Sequence, residues 1–130
     1  MTVSRLFAIT TLAIATAAFA QGSNPYNGTW RAEIESITEG KQGAKLDGKV
    51  VIEDQGGTFD MATLARKNPC AGRAYPITIR RATADELVFE INRSKALPGC
   101  KDGLARLKPT DANTLQGEFD AGRSIKLIRK

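Results

Sequence analysis

The sequence RAYPITIRRATADELVFEI, residues 73–91, contains the clearest pattern from which the fold can be predicted. Its apolar side chains recur at every second residue on either side of a polar turn: Tyr75, Ile77, Ile79, Leu87, Phe89 and Ile91. A period of two is typical of a strand that buries one face and exposes the other. We therefore predict two antiparallel strands joined by a short turn.

Similar alternation recurs along the chain after residue 28, with turn residues between the segments. The predicted strands are Thr29–Ile37, Lys45–Asp54, Thr58–Ala62, Arg73–Arg80, Leu87–Ile91, Gly103–Lys108, Leu115–Phe119 and Ser124–Arg129. Their other inward side chains are Trp30, Ala32, Ile34, Leu46, Val50, Ile52, Phe59, Met61, Leu107, Leu115, Phe119, Ile125 and Leu127. The segment Met61–Lys67 alternates poorly and is compatible with a short helical turn before Pro69.

The number of strands and the short loops between them predict the architecture. An all-β meander of about eight strands loses its exposed edges when it closes, so we predict a small antiparallel up-and-down barrel. A two-sheet β-sandwich is the alternative. Residues 21–130 are enough for a single domain with its own core.

The first 20 residues are typical of a secretory signal peptide. A short segment with one positive charge, Arg5, precedes an uncharged apolar run that ends in Ala18-Phe19-Ala20, and a polar, turn-forming segment follows. The run is short for a membrane span. We expect cleavage after Ala20, a mature protein without a transmembrane segment, and a periplasmic or secreted location in a bacterium.

Cys70 and Cys100 are the two cysteines of the chain, and the chain has no histidine. In an oxidising compartment such a pair predicts a disulfide bond. The lack of histidine removes imidazole-based nucleophile activation and most zinc or copper sites. We therefore predict a protein that is not an enzyme and that uses no metal or cofactor.

Gly28-Thr29-Trp30 begins the first predicted strand, and Arg129 lies near the end of the last one. This pattern resembles the calycins, the group of small barrels that includes lipocalins and avidins. The resemblance implies that Trp30 packs across one end of the barrel with Arg129 against it in a cation–π contact, so that both residues are structural. The chain is far shorter than a lipocalin and lacks the later Thr-Asp-Tyr type motif.

Charge is distributed unevenly along the predicted mature chain. Residues 21–65 carry a net charge of minus three, and residues 66–130 carry plus seven. The candidate partner-binding residues come from this basic half: Arg73, Arg80, Arg81, Arg93, Lys95 and Lys101. A basic surface attracts anionic partners by long-range steering, although it is also common on ordinary solvated surfaces. Aromatic residues do not interleave with the basic ones, so we expect no nucleic-acid partner.

The predicted disulfide joins two loops, Asn68–Arg73 and Asn92–Gly103, which carry apolar and basic residues together. Such a stapled pair is a preorganised surface for a partner, because its ordering entropy is already spent. The structural alternative is that long loops in small secreted domains simply need a covalent link.

These observations rank three functional hypotheses. The first is a non-catalytic binding protein that presents its stapled loops and basic surface to an anionic or protein partner of the cell envelope. The second is a carrier of a small apolar ligand in the barrel, since the inward positions Ala32, Gly48 and Gly117 are small. The third and weakest is a hydrolase that uses the carboxylates of Glu33, Glu35 and Asp60.

Overall fold

The computed structural model describes residues 24–36, 40, 42–62, 68–120 and 122–130. The predicted signal peptide and most of the helical turn predicted for Met61–Lys67 lie outside these residues. Met61 itself ends a strand. Within the described residues, no helix is long and apolar enough to cross a membrane.

The protein is an eight-stranded antiparallel barrel that closes on itself. The elements are β1 (Gly28–Glu35), β2 (Lys45–Glu53), β3 (Gly56–Met61), β4 (Ala74–Ala82), β5 (Leu87–Ile91), α1 (Arg93–Ala96), β6 (Gly103–Asp111), β7 (Thr114–Phe119) and β8 (Arg123–Arg129). Each strand pairs with the next, and β8 closes the barrel against β1 from Trp30↔Arg129 to Ile34↔Ile125. The predicted up-and-down barrel is confirmed, and the sandwich alternative is wrong.

The barrel interior is a packed apolar core. All of the predicted inward side chains are buried, and Tyr26 and Ala105, which were not predicted, join them. The ring of Phe59 lies 6.3 Å from that of Phe89 and 5.8 Å from that of Phe119. Side chains at these spacings fill the centre of a barrel of this strand number.

Two of the three small inward positions mark close approaches between strands rather than open space. A Cβ atom on Gly117 would lie 1.9 Å from the carbonyl oxygen of Arg106, and one on Gly48 would lie 2.4 Å from the carbonyl oxygen of Asp60. The backbone of the neighbouring strand already occupies this space. Neither glycine therefore opens room for a ligand.

One end of the barrel, here called the closed end, is covered by Trp30 and the segment before β1. The Arg129 guanidinium carbon lies 4.3 Å from the Trp30 ring centroid, and its Nη1 and Nη2 donate to the carbonyls of Asn27 and Pro25 at 2.9 and 3.2 Å. Trp30 Nε1 donates to the carbonyl of Tyr26 at 2.9 Å. These contacts tie the first and last strands to one another.

Tyr26 extends this network to the β4–β5 turn. Its buried hydroxyl donates to the carbonyl of Thr83. Burial, followed by the nearby charges of Asp85 and Glu86, raises the pKa of the Tyr26 hydroxyl above its ordinary value of 10.0. The hydroxyl therefore remains a neutral donor at physiological pH.

Candidate functional site

The opposite end of the barrel, here called the stapled end, carries the disulfide bond. The Cys70 and Cys100 sulfur atoms are 2.03 Å apart and their Cα atoms 5.7 Å apart, so the predicted bridge is confirmed. Beneath it, the Tyr75 hydroxyl donates to the carbonyl of Cys70 at 2.6 Å. The segment before β4 is thus fixed to the segment before β6 and to the core.

The segment between β5 and β6 is ordered by its own hydrogen bonds. The backbone N–H and the hydroxyl of Ser94 both donate to Asp102 Oδ1 at 2.9 Å. The backbone hydrogen bond, followed by the hydroxyl one, lowers the pKa of the Asp102 carboxyl. Lys95 lies exposed on the short helix α1.

A pocket of about 400 Å³ opens at the stapled end. Its floor is apolar and includes the side chains of Ile34, Leu46, Phe59, Met61, Tyr75 and Phe119. Its cationic lining residues, here called the rim cations, are Arg73, Arg93, Lys101 and Arg123. Among the described lining residues, Asp120 is the one acidic side chain, so the pocket carries a formal excess of three positive charges.

Arg93 and Asp120 form a bidentate ion pair across the rim of the pocket. Arg93 Nη1 and Nη2 lie 3.0 and 2.9 Å from Asp120 Oδ1 and Oδ2, and the two side chains are only 15% and 26% exposed. The pair fits because Gly103 has no side chain: a Cβ there would lie 2.0 Å from Asp120 Oδ1. Bidentate geometry of this kind fixes both side chains in place.

Arg123 is one rim cation with unused hydrogen-bonding capacity. Its guanidinium carbon lies 4.8 Å from the Phe119 ring centroid, and Nη2 donates to the carbonyl of Glu35 at 3.2 Å. Its Nε is buried and has no hydrogen-bond partner among the described residues. Burial lowers the pKa of the Arg123 guanidinium, which nevertheless remains charged at neutral pH.

The six predicted partner-binding residues do not form one surface. Arg73, Arg93 and Lys101 line the pocket, whereas Arg80 and Arg81 lie on β4 toward the other end of the barrel. Arg80 Nε donates to Glu90 at 2.9 Å, and Arg81 Nε lies 3.9 Å from Glu86. These two cations are therefore already paired along the outer wall.

The prediction also missed Arg123, which follows the β7–β8 turn. Its sequence neighbours give no signal for a site, because the pocket forms only when the barrel brings four separate connections to one end. A general cue was available, since the connections that follow the odd-numbered strands of an up-and-down barrel all lie at one end.

The carboxylates considered for hydrolysis lie on the outer wall. Glu33 accepts from Arg31 at 2.5 Å, and Glu35 and Asp60 are exposed at the ends of their strands. A shallow depression of about 540 Å³ lies beside the two glutamates, lined by both acidic and basic side chains that include Glu33, Glu118 and Lys126. Among the described residues, no group of three or more metal-type ligands is placed to hold an ion.

No protein family, curated protein or solved structure matches this chain.

Proposed function

We propose that this chain is a non-catalytic binding protein that holds an anionic partner at the stapled end of its barrel. The observation that supports this most directly is the group of four rim cations around a concave pocket with one acidic side chain. Like charges gathered around a concave, partly apolar surface focus the electrostatic potential and attract ions of opposite sign.

The covalent and hydrogen-bonded framework of the stapled end supports the same proposal. The disulfide joins the segments that carry Arg73 and Lys101, and the ion pair with Asp120 fixes Arg93. Groups that are already positioned lose little conformational entropy when a partner binds. We propose that the protein works in the periplasm or outside the cell, where such a disulfide persists.

The two other hypotheses receive less support. Side chains fill the barrel centre, and both inward glycines adjoin the backbone of a neighbouring strand, which leaves a deep apolar carrier without a described cavity. Glu33 already pairs with Arg31, and the depression beside it on the described part of the outer wall is open to solvent. Partner binding at the stapled end is therefore the function that we favour.

Amide shifts in NMR spectra can test this function with a panel of anions: phosphate, citrate, octanoate and an aspartate-rich peptide, each at low and high salt. We expect salt-sensitive shifts in residues 68–75, 99–103 and 119–123. The double variant Arg73→Gln/Lys101→Gln should weaken binding, whereas the charge-matched control Arg80→Gln/Arg81→Gln should not. Shifts confined to the outer wall around Arg80, Arg81 and Arg106, or no binding by any anion, would refute the proposal.

A further inference from the structure

We propose that the anionic partner is a small amphiphile, with one carboxylate-like head at Arg123 and a short apolar tail against the pocket floor. This inference rests on the proposed function, which requires only an anion. It adds a chemical class, a place for each part of the ligand and a limit on tail length.

We place the head group at Arg123 because, unlike the exposed Arg73 and Lys101, it lies over the apolar floor and has a buried donor without a partner among the described residues. Both terminal nitrogens of Arg93 donate to Asp120, so the positive charge of Arg93 is largely compensated. Arg123 uses Nη2 for the carbonyl of Glu35 and leaves Nε without a partner among the described residues. Native structures rarely leave a buried donor unpaired, and an arriving carboxylate is a strong acceptor for a guanidinium.

The tail position follows from the floor beneath Arg123. The guanidinium lies over the Phe119 ring, which is 5.8 Å from Phe59, and both rings line the pocket together with Met61. A fully hydrated anion obtains no binding free energy from the apolar surface at the base of a charged pocket. An alkyl or aryl group that displaces water from this surface does contribute favourable binding free energy.

The packed interior limits the length of this tail. The pocket of about 400 Å³ is near the lower end of the range for small-molecule sites. Below the floor, Phe89, Leu107 and Val50 are fully buried members of the apolar core. We therefore expect a medium-length chain to fill the pocket and a longer one to extend into solvent.

Isothermal titration of the mature protein with a series of carboxylates tests this inference. Affinity should rise by about fourfold per methylene from butanoate to hexanoate. It should then level off by dodecanoate. Octanol, which has the tail without the charge, and phosphate, which has charge without a tail, should both bind at least about tenfold more weakly than octanoate.

Two variants place the head group, and a third is the control. Arg123→Gln should weaken octanoate binding by at least about tenfold, because a charged hydrogen bond is lost. Asp120→Asn should strengthen binding, because it frees Arg93 and removes the acidic side chain while keeping the size of the residue. Lys108→Gln removes the same charge as Arg123→Gln from an exposed site outside the pocket and should leave binding unchanged.

The outcomes separate this inference from the proposed function. If phosphate or citrate binds at the stapled end as tightly as octanoate, with no dependence on tail length, the amphiphile is wrong and the anion site stands. If affinity keeps rising through dodecanoate, the limit on tail length is wrong. If no anion binds, both proposals fail. Circular dichroism and thermal unfolding of each variant establish that a lost signal does not come from an unfolded barrel.

Discussion

Replacing Arg129 by methionine removes the guanidinium that closes one end of the barrel while retaining most of its apolar stem. In the wild-type protein this group lies over Trp30 and donates to two carbonyls of the segment before β1. The substitution therefore tests whether the closed end depends on the cation or on apolar packing alone.

The expected loss can be worked from these contacts. A cation–π contact at a partly exposed site contributes about 0.5–1 kcal/mol, and each of the two hydrogen bonds about 1 kcal/mol. Arg129→Met should therefore lower the free energy of unfolding by about 2.5–3 kcal/mol. For a domain of this size, the melting temperature should fall by about 10 °C.

Urea unfolding followed by tryptophan fluorescence measures this loss, since Trp30 is the single tryptophan of the chain. Arg129→Lys should recover part of the stability, because an ammonium keeps the charge over the ring but cannot span both carbonyls. Arg106→Met is the matched control on the outer wall, where the arginine side chain is 59% exposed and should contribute little. A loss below about 0.5 kcal/mol for Arg129→Met, or an equal loss for the control, would refute the reasoning.

Three further predictions concern stability. The double variant Cys70→Ser/Cys100→Ser opens a loop with a sequence separation of 30 and should lower the free energy of unfolding in urea by about 3.6 kcal/mol. A loss under about 1 kcal/mol would contradict the chain-entropy reasoning. Because burial raises the folded-state pKa of Tyr26 above 10.0, its contribution is fully present below pH 10 and is lost as the pH rises through that higher value. The unfolding midpoint should fall across this alkaline range, and Tyr26→Phe should remove that part of the pH dependence. Gly103→Ala should lower the free energy of unfolding in urea by about 1–3 kcal/mol, because the new Cβ would lie 2.0 Å from Asp120 Oδ1. Gly56→Ala is the control, because a Cβ there meets nothing closer than 3.5 Å. Equal losses in the two variants would count against the rim ion pair.

The fold could be predicted from the sequence because one face of nearly every strand is buried. In a barrel with a filled centre, period-two alternation records which side faces inward, and segments such as Tyr75–Ile79 show it clearly. The errors lie at strand ends: β4 and β6 extend beyond Arg80 and Lys108 into exposed hairpins. There, backbone pairing continues without an apolar pattern to reveal it.

The candidate site could be predicted only in part, because it depends on which connections meet at one end. The pair of cysteines and the expected oxidising compartment predicted the disulfide, and charge predicted a role for Arg93 and Lys101. Nothing local distinguishes Arg80 from Arg93, although the first pairs along the wall and the second lies at the rim. The sequence around Gly103 likewise gives no sign of its role, because that role depends on the side chains of Arg93 and Asp120 that occupy the space beside it.

The pairing of the first and last strands places both ends of the described chain at the closed end, opposite the pocket. Lys130 donates its N–H to the carbonyl of Thr29, and Asn24 donates through Nδ2 to the carbonyl of Asp54, so both residues lie at the closed end. A support, label or fusion partner attached through either residue would leave the pocket pointing away from the attachment. A sensor or affinity matrix built from this barrel would therefore be attached at the closed end and would present the proposed binding pocket at the stapled end.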